Sequence, residues 1–138
     1  QGKDTGSPVR CLEMSGRQEV IWRNALSTRL LSRGYNVFLP VFDEGIDMIA
    51  HREQDNDVKL IQQKSRWGIF RKYLGRNIWM AFPDKDDWFL VPHDPMLDWP
   101  EVAAFLLTSS WCDKGQHGQY HMSPMSAALR ARCEGYRI

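Results

Sequence analysis

Between Ser15 and Arg33 the apolar residues Ile21, Trp22, Ala25, Leu26 and Leu30 recur every three to four positions, the spacing of one helix face. Ser15 suits the N-cap, Gln18 stands three residues later in the capping-box position, and Gly34 ends the helix. After Gly34 the pattern changes to short β-rich runs: YNVFLPVF, GIDMIAHR and VKLIQQKS, the last two separated by the polar turn EQDND. NIWMAF and DWFLV are two more candidate strands, divided by PDKD. Pro100, following Asp98 and Trp99, predicts a second helix through about Ser109. Ser123, with Pro124 at the first helical position, predicts a third ending near Gly135. A helix, then five strands, then helices implies an α+β, three-layer fold, with a central mixed sheet of about five strands and flanking helices.

The 138 residues, 43% of them hydrophobic and including six Trp and six Phe, suffice for one core. We therefore expect residues 1–14 to be a flexible leader and 15–138 a single domain. The longest strictly apolar run, VAAFLL at 102–107, falls far short of the roughly 20 residues that cross a bilayer. No charged start followed by an apolar stretch resembles a signal peptide. These features predict a soluble, cytoplasmic protein with no membrane partner. Cys11, Cys112 and Cys133, an odd number at irregular spacings, suit free thiols in a reducing compartment.

Charge changes the picture through its distribution. Net charge is only +1, yet the window 58–83 has no Asp or Glu and carries Lys59, Lys64, Arg66, Arg71, Lys72 and Arg76, which leaves −5 for the rest. Trp67, Phe70 and Tyr73 are interleaved with these bases, a composition suited to holding phosphates and stacking on nucleobases. The alternative is a solvated basic loop whose aromatics belong to the core.

Strand geometry brings the chemistry together. If GIDMIAHR and VKLIQQKS form an antiparallel hairpin with a four-residue loop, paired residue numbers sum to 109 (loop 53–56) or 111 (loop 54–57). Asp47 then faces Gln62 in the first register and Lys64 in the second; both place Asp47, Gln62 and Lys64 on one face. A loop of odd length would send Asp47 to the other side unless a bulge repaired the parity. A divalent cation explains such a trio: Asp47 offers a hard oxygen, the Gln62 amide a weaker one, and Lys64 can orient or deprotonate an attacking water.

At these residues the chain resembles the PD-(D/E)XK nuclease superfamily, in particular its small members similar to archaeal Holliday junction resolvases and restriction endonucleases. The resemblance extends over about Ser15 to Pro95 and rests on element order as well as motif. Glu19 matches the family's early helix acid, Asp47 in GID the hairpin acid, and Gln62-Gln63-Lys64 stands where acid-X-Lys is usual. It implies a restriction endonuclease-like fold and divalent-metal-dependent hydrolysis of DNA phosphodiesters. Glu19, Asp47, Gln62 and Lys64 would be catalytic, and Glu19, Asp47, Gln62 and the Gln63 carbonyl would hold Mg²⁺ or Mn²⁺. Ser65, Arg66, Arg71, Lys72 and Arg76 would contact nucleic acid. The partners implied are DNA and, where two strands are cut, a second copy in a two-fold homodimer. Gln62 departs from the family's acid and removes a negative charge, so a second reading stays open: a catalytically silent nuclease-fold module that binds nucleic acid or a protein.

Cys112, His117, His121 and Cys133 form a competing candidate site, whose thiolates and imidazoles suit zinc. The paired C-x2-4-C knuckle is absent, and Gly115 and Gly118 mark a loop there.

Overall fold

The structure, a computed structural model, describes residues 15–138. The expected leader and Cys11 lie outside the described residues. Helix α1 (Gly16–Ser32) opens as predicted: Ser15 Oγ accepts from the Gln18 backbone N–H at 3.2 Å, satisfying one of the donors a helix start leaves unpaired. Leu26 and Leu30 are fully buried, each contributing about 2 kcal/mol of transfer free energy.

Five strands make the central sheet: β1 (Asn36–Phe38), β2 (Met48–Arg52), β3 (Asp57–Gln63), β5 (Ile78–Asp84) and β6 (Asp87–Pro92), in the order β1-β2-β3-β5-β6. All neighbours are antiparallel except β3 and β5, so the sheet is mixed, as expected. Between them in sequence lies β4 (Trp67–Phe70), which pairs with β7 (Gln119–Met122) in a separate two-stranded sheet. Helices α2 (His93–Met96), α3 (Ser109–Cys112) and α4 (Ala127–Cys133) are short. Among the described residues no helix is long and apolar enough to cross a membrane.

The central sheet separates two hydrophobic clusters. On one side Met48, Ala50, Ile61, Ala81, Trp88 and Leu90 pack with Leu26 and Leu30 of α1. On the other, Met80, Phe82, Phe89 and Val91 pack with Trp67, Ile69 and Phe70 of β4 and with Val102, Trp111, Leu129 and Cys133. Alternation along β5 produces this division: Met80 and Phe82 face the second cluster, Ala81 the first. The result is three layers: α1, the mixed sheet, and the small sheet with the C-terminal helices.

Three expectations need correction. The helix predicted over 100–109 is a turn followed by the 3₁₀ helix Ala103–Leu107; Val102 and Phe105, three residues apart, both reach the core, matching a three-residue turn. The last helix begins at Ala127 rather than beside Pro124, because Ser126 is its cap, its Oγ accepting from Leu129 N–H at 3.3 Å. Trp67, Phe70 and Tyr73 are core residues, each no more than 6% exposed, and offer no ring for a base to stack on. His93 is structural: fully buried, it accepts from the Phe70 backbone N–H at Nε2 (2.9 Å) and its Nδ1 meets Asp94 Oδ1 (2.8 Å), tying β4 to α2.

Candidate active site

The β2–β3 hairpin closes through a turn at residues 53–56 and pairs Met48 with Ile61 and Arg52 with Asp57, a constant sum of 109. Asp47 lies just before that ladder and departs from its register: its N–H donates to the carbonyl of Ile61 (2.8 Å), the residue that already pairs with Met48. Gln62 pairs with Met80 of β5, so its face is the one turned away from α1. Lys64, two residues on, shares that side: its Nζ lies 4.6 Å from the centre of the Phe70 ring and 5.6 Å from that of Tyr73. Gln62 and Lys64 thus share one face of β3, and Asp47 stands at the same end of the hairpin, close enough for its charge and that of Lys64 to be felt by each other.

Gln63 points the other way and is buried, with its side-chain amide donating to the Glu19 carbonyl at 3.4 Å. Its own backbone N–H donates to Asp47 Oδ2 at 2.8 Å. One residue thus ties the first turn of α1 to the Asp47 carboxylate. Glu19 is exposed on that turn, and its charge is felt at Asp47.

Electrostatics at this end of the hairpin run against both charges. Burial holds the Asp47 carboxyl above its usual range; the Gln63 N–H pulls the other way, Asp43 and Glu19 push further up, and Lys64 offsets them only in part. The Lys64 ammonium is held below its usual range by burial and by Lys72, with Asp47 opposing. No ion pair among the described residues joins Asp47 to Lys64. Gln62 Oε1 is buried without a hydrogen-bond partner, a state that costs about 1–3 kcal/mol when nothing compensates it. A buried acceptor, a carboxylate and a depressed ammonium thus stand at one end of the hairpin.

Several residues near this pocket escape sequence reasoning. Asp43, four positions before Asp47, accepts from Gly45 N–H (2.7 Å) and Ile46 N–H (3.2 Å) and shapes the approach to β2; an acid so close to GID was the available signal. Tyr73 is buried beside the site, its phenol pushed up by burial and by the Asp47 charge. His121 enters from β7 opposite Gly68, with Nδ1 buried and unpartnered; burial, then Arg66 and Lys64, favour its neutral form.

The other candidate contacts occupy varied settings. Ser65 and Arg66 are half-buried after β3, and Lys72 is exposed. Arg71 donates from Nε to the Trp111 carbonyl (2.6 Å) and lies over the Trp111 ring, while Arg76 donates to the Glu44 carbonyl (2.7 Å). Both guanidiniums thus also brace loops around the site.

The metal ligands expected from the sequence, the Asp47 and Glu19 carboxylates, Gln62 Oε1 and the Gln63 carbonyl, are all hard oxygen donors. This set fits Mg²⁺ or Mn²⁺ better than zinc, and the orphaned Gln62 oxygen is the feature a cation would satisfy. Among the described residues no three His, Cys, Asp or Glu side chains are grouped to hold a metal ion. Cys112 and His117 are exposed, Cys112 Sγ donates to the Leu106 carbonyl, and Cys133 is buried in the core, so the candidate zinc set does not converge.

No protein-family model matches the chain, and no curated protein matches it. Among solved structures, the fold is similar to that of a bacterial homing endonuclease, I-Ssp6803I, with a TM-score of 0.52 over 91% of this chain and 88% of that one. Sequence identity is 16%, so the similarity is one of architecture: a nuclease-like arrangement of sheet and helices.

Proposed function

We propose that this protein is a divalent-metal-dependent endonuclease that hydrolyses DNA phosphodiester bonds at the pocket formed by Asp47, Gln62 and Lys64, in the manner of PD-(D/E)XK nucleases. The observation that carries the reading is the buried, unpartnered Gln62 Oε1 at the hairpin end that also holds an Asp and a Lys whose charged forms are both disfavoured. Perturbed groups of opposite sign that feel each other's charge mark candidate functional sites. The similarity of fold to a homing endonuclease agrees with it.

In this reading Asp47, Glu19, Gln62 and the Gln63 carbonyl hold Mg²⁺ or Mn²⁺. The ion, when bound, supplies charge stabilisation at the scissile phosphate and acidifies a water. Gln63 positions two of these groups, through its N–H to Asp47 and its amide to the Glu19 backbone. Lys64 orients the attacking water and accepts its proton, a role its lowered pKa favours. Phe70 and Tyr73 lie beneath Lys64 and cover one side of it, while burial and then the Lys72 charge keep its pKa low. Lys72 and Arg66, with Arg71 and Arg76, hold the phosphate backbone, and Ser65 adds a hydroxyl at the end of β3. A two-fold homodimer would present a second such pocket to the opposite strand.

Gln62 in place of an acid favours a second reading, a nuclease-fold module that binds without cutting. Supercoiled, branched and single-stranded DNA incubated with Mg²⁺ or Mn²⁺, beside Asp47→Ala, Lys64→Ala and Gln62→Glu, separates the two. Cutting by the wild type that both alanine variants lose, with binding retained, supports the enzyme. Absence of cutting by the wild type on every substrate, with cutting restored in Gln62→Glu, identifies the silent module.

A further inference from the structure

Beside the candidate site, on the side of the small sheet, two adjoining concavities of about 490 and about 120 Å³ share Lys72 and Gln116 in their walls. The larger is completed by Arg71, Leu74, Cys112 and Gly115, the smaller by Phe70, His117, Gly118 and Gln119. They adjoin Lys64 of the candidate site: Phe70, which lines the smaller one, has its ring under Lys64 Nζ, and the Lys72 charge is felt at Lys64.

The loop that forms these walls is held in place by its backbone. The Gly118 carbonyl oxygen accepts from the Arg71 backbone N–H (2.9 Å), and a Cβ added at Gly118 would stand 2.4 Å from the Trp111 carbonyl oxygen. The chain can pass there only with no side chain, and this close approach fixes the flanking residues against the Arg71–Tyr73 turn. Gln116 is exposed and Gln119 half-buried, and neither side chain has a hydrogen-bond partner within the described residues. Long amide side chains on a fixed backbone, beside an exposed lysine, make a wall that can hydrogen-bond but is not occupied in holding the fold together.

We propose that residues 115–119 are the base-reading element of this protein: with Lys72 on the phosphates of a DNA duplex, Gln116 and Gln119 hydrogen-bond to base edges in the major groove. A glutamine amide presents one acceptor and two donors, and it matches the N7 acceptor and N6 donor of adenine. Lys72 supplies attraction without sequence information, so affinity and choice are divided between neighbouring residues. The inference rests on the nucleic-acid reading of the candidate site and adds sequence selectivity to it.

Selection of bound duplexes from a randomised library by the full chain, in EDTA so that no strand is cut, tests it. The expected result is a preference for adenine at discrete positions. Gln116→Ala and Gln119→Ala would each lower that preference about tenfold at its own position, while Lys72→Ala would weaken binding to all sequences alike. Thermal melting of the two glutamine variants checks that the fold is retained, as expected for side chains without partners. Selected duplex should also slow alkylation of Cys112, read by mass spectrometry of its peptide, because Cys112 lines the larger concavity. Binding without sequence preference, a preference unchanged in both glutamine variants, or alkylation of Cys112 unaffected by duplex would each overturn the inference while leaving the nuclease reading intact. Absence of duplex binding by the wild type would overturn the inference, and only absence of metal-dependent cutting of supercoiled, branched and single-stranded DNA would overturn the nuclease reading.

Discussion

The two ends of the β2–β3 hairpin carry the same kinds of side chain and treat them in opposite ways. At the turn, Arg52 grips Asp55 through Nε and Nη2, at 3.0 and 2.8 Å, and Lys59 pairs with Asp57, which also accepts from the Tyr35 hydroxyl. The hydrogen bond from Arg52 draws Asp55 down to about 2, and those from Lys59 and Tyr35 draw Asp57 down. At Lys59 burial pulls the ammonium down, but the bonds to Asp57 and Tyr35 outweigh it. At the open end, Asp47 is held up and Lys64 down, and the Gln62 amide oxygen is left without a partner. One end uses charge to fix the hairpin. The other holds charge where the fold alone does not satisfy it, which teaches where a ligand would bind.

The largest effect expected of this contrast is on activity. Asp47→Ala and Lys64→Ala should each lower metal-dependent DNA cutting by about 100-fold or more, whereas Asp55→Ala and Lys59→Ala should leave it unchanged, as read by plasmid relaxation. Equal losses in all four would erase the distinction between the two ends.

Stability should respond in the opposite sense. Lys59→Ala leaves Asp57 with the Tyr35 hydroxyl alone and removes an ammonium that lies 4.3 Å from the centre of the Trp79 ring, and should cost about 1 kcal/mol in urea denaturation. Asp47→Asn keeps an acceptor for the Gln63 N–H and removes a disfavoured charge, so it should stabilise the metal-free protein by about 0.5–2 kcal/mol. A destabilised Asp47→Asn variant would contradict the account.

The pH dependence separates the ends by sign. Asp47 has a folded pKa above its unfolded value, so the native state binds its proton more tightly and stability falls as pH rises through the window above 3.8. Asp55 is depressed, so its contribution is full above 3.8 and lost as pH falls towards about 2. Asp47→Asn should flatten the first limb and Asp55→Asn the second in melting curves taken across pH. The smallest expected effect lies outside the hairpin: Lys72→Ala should reduce by about 1 the slope of log binding constant against log salt, measured by fluorescence anisotropy with duplex DNA.

Much of this was legible in the sequence where local signals and long-range contacts agree. The five strands of the central sheet match the five β-rich runs, and the loop at 53–56 is the first of the two registers that the sequence allows. The small sheet was not legible. All four residues of β4 are buried, so no alternation reveals a strand, and its partner β7 is a polar-looking QYHM about fifty residues away. Without that pairing, Trp67, Phe70 and Tyr73 read as a stacking surface, and His121 could not be placed at the site. Asp43 was missed because its proximity to Asp47 arises from the bend after β1 rather than from strand period.

The central claim is that Asp47 is a disfavoured carboxylate awaiting a cation. Its side-chain carbon titrated by NMR, with Asp55 as the internal reference and with and without Mg²⁺, tests this most directly. The account predicts Asp47 above the ordinary carboxylate value in the metal-free protein and a fall on adding Mg²⁺, while Asp55 stays near 2 in both. An Asp47 that titrates at or below the ordinary value and does not move with Mg²⁺ would contradict it.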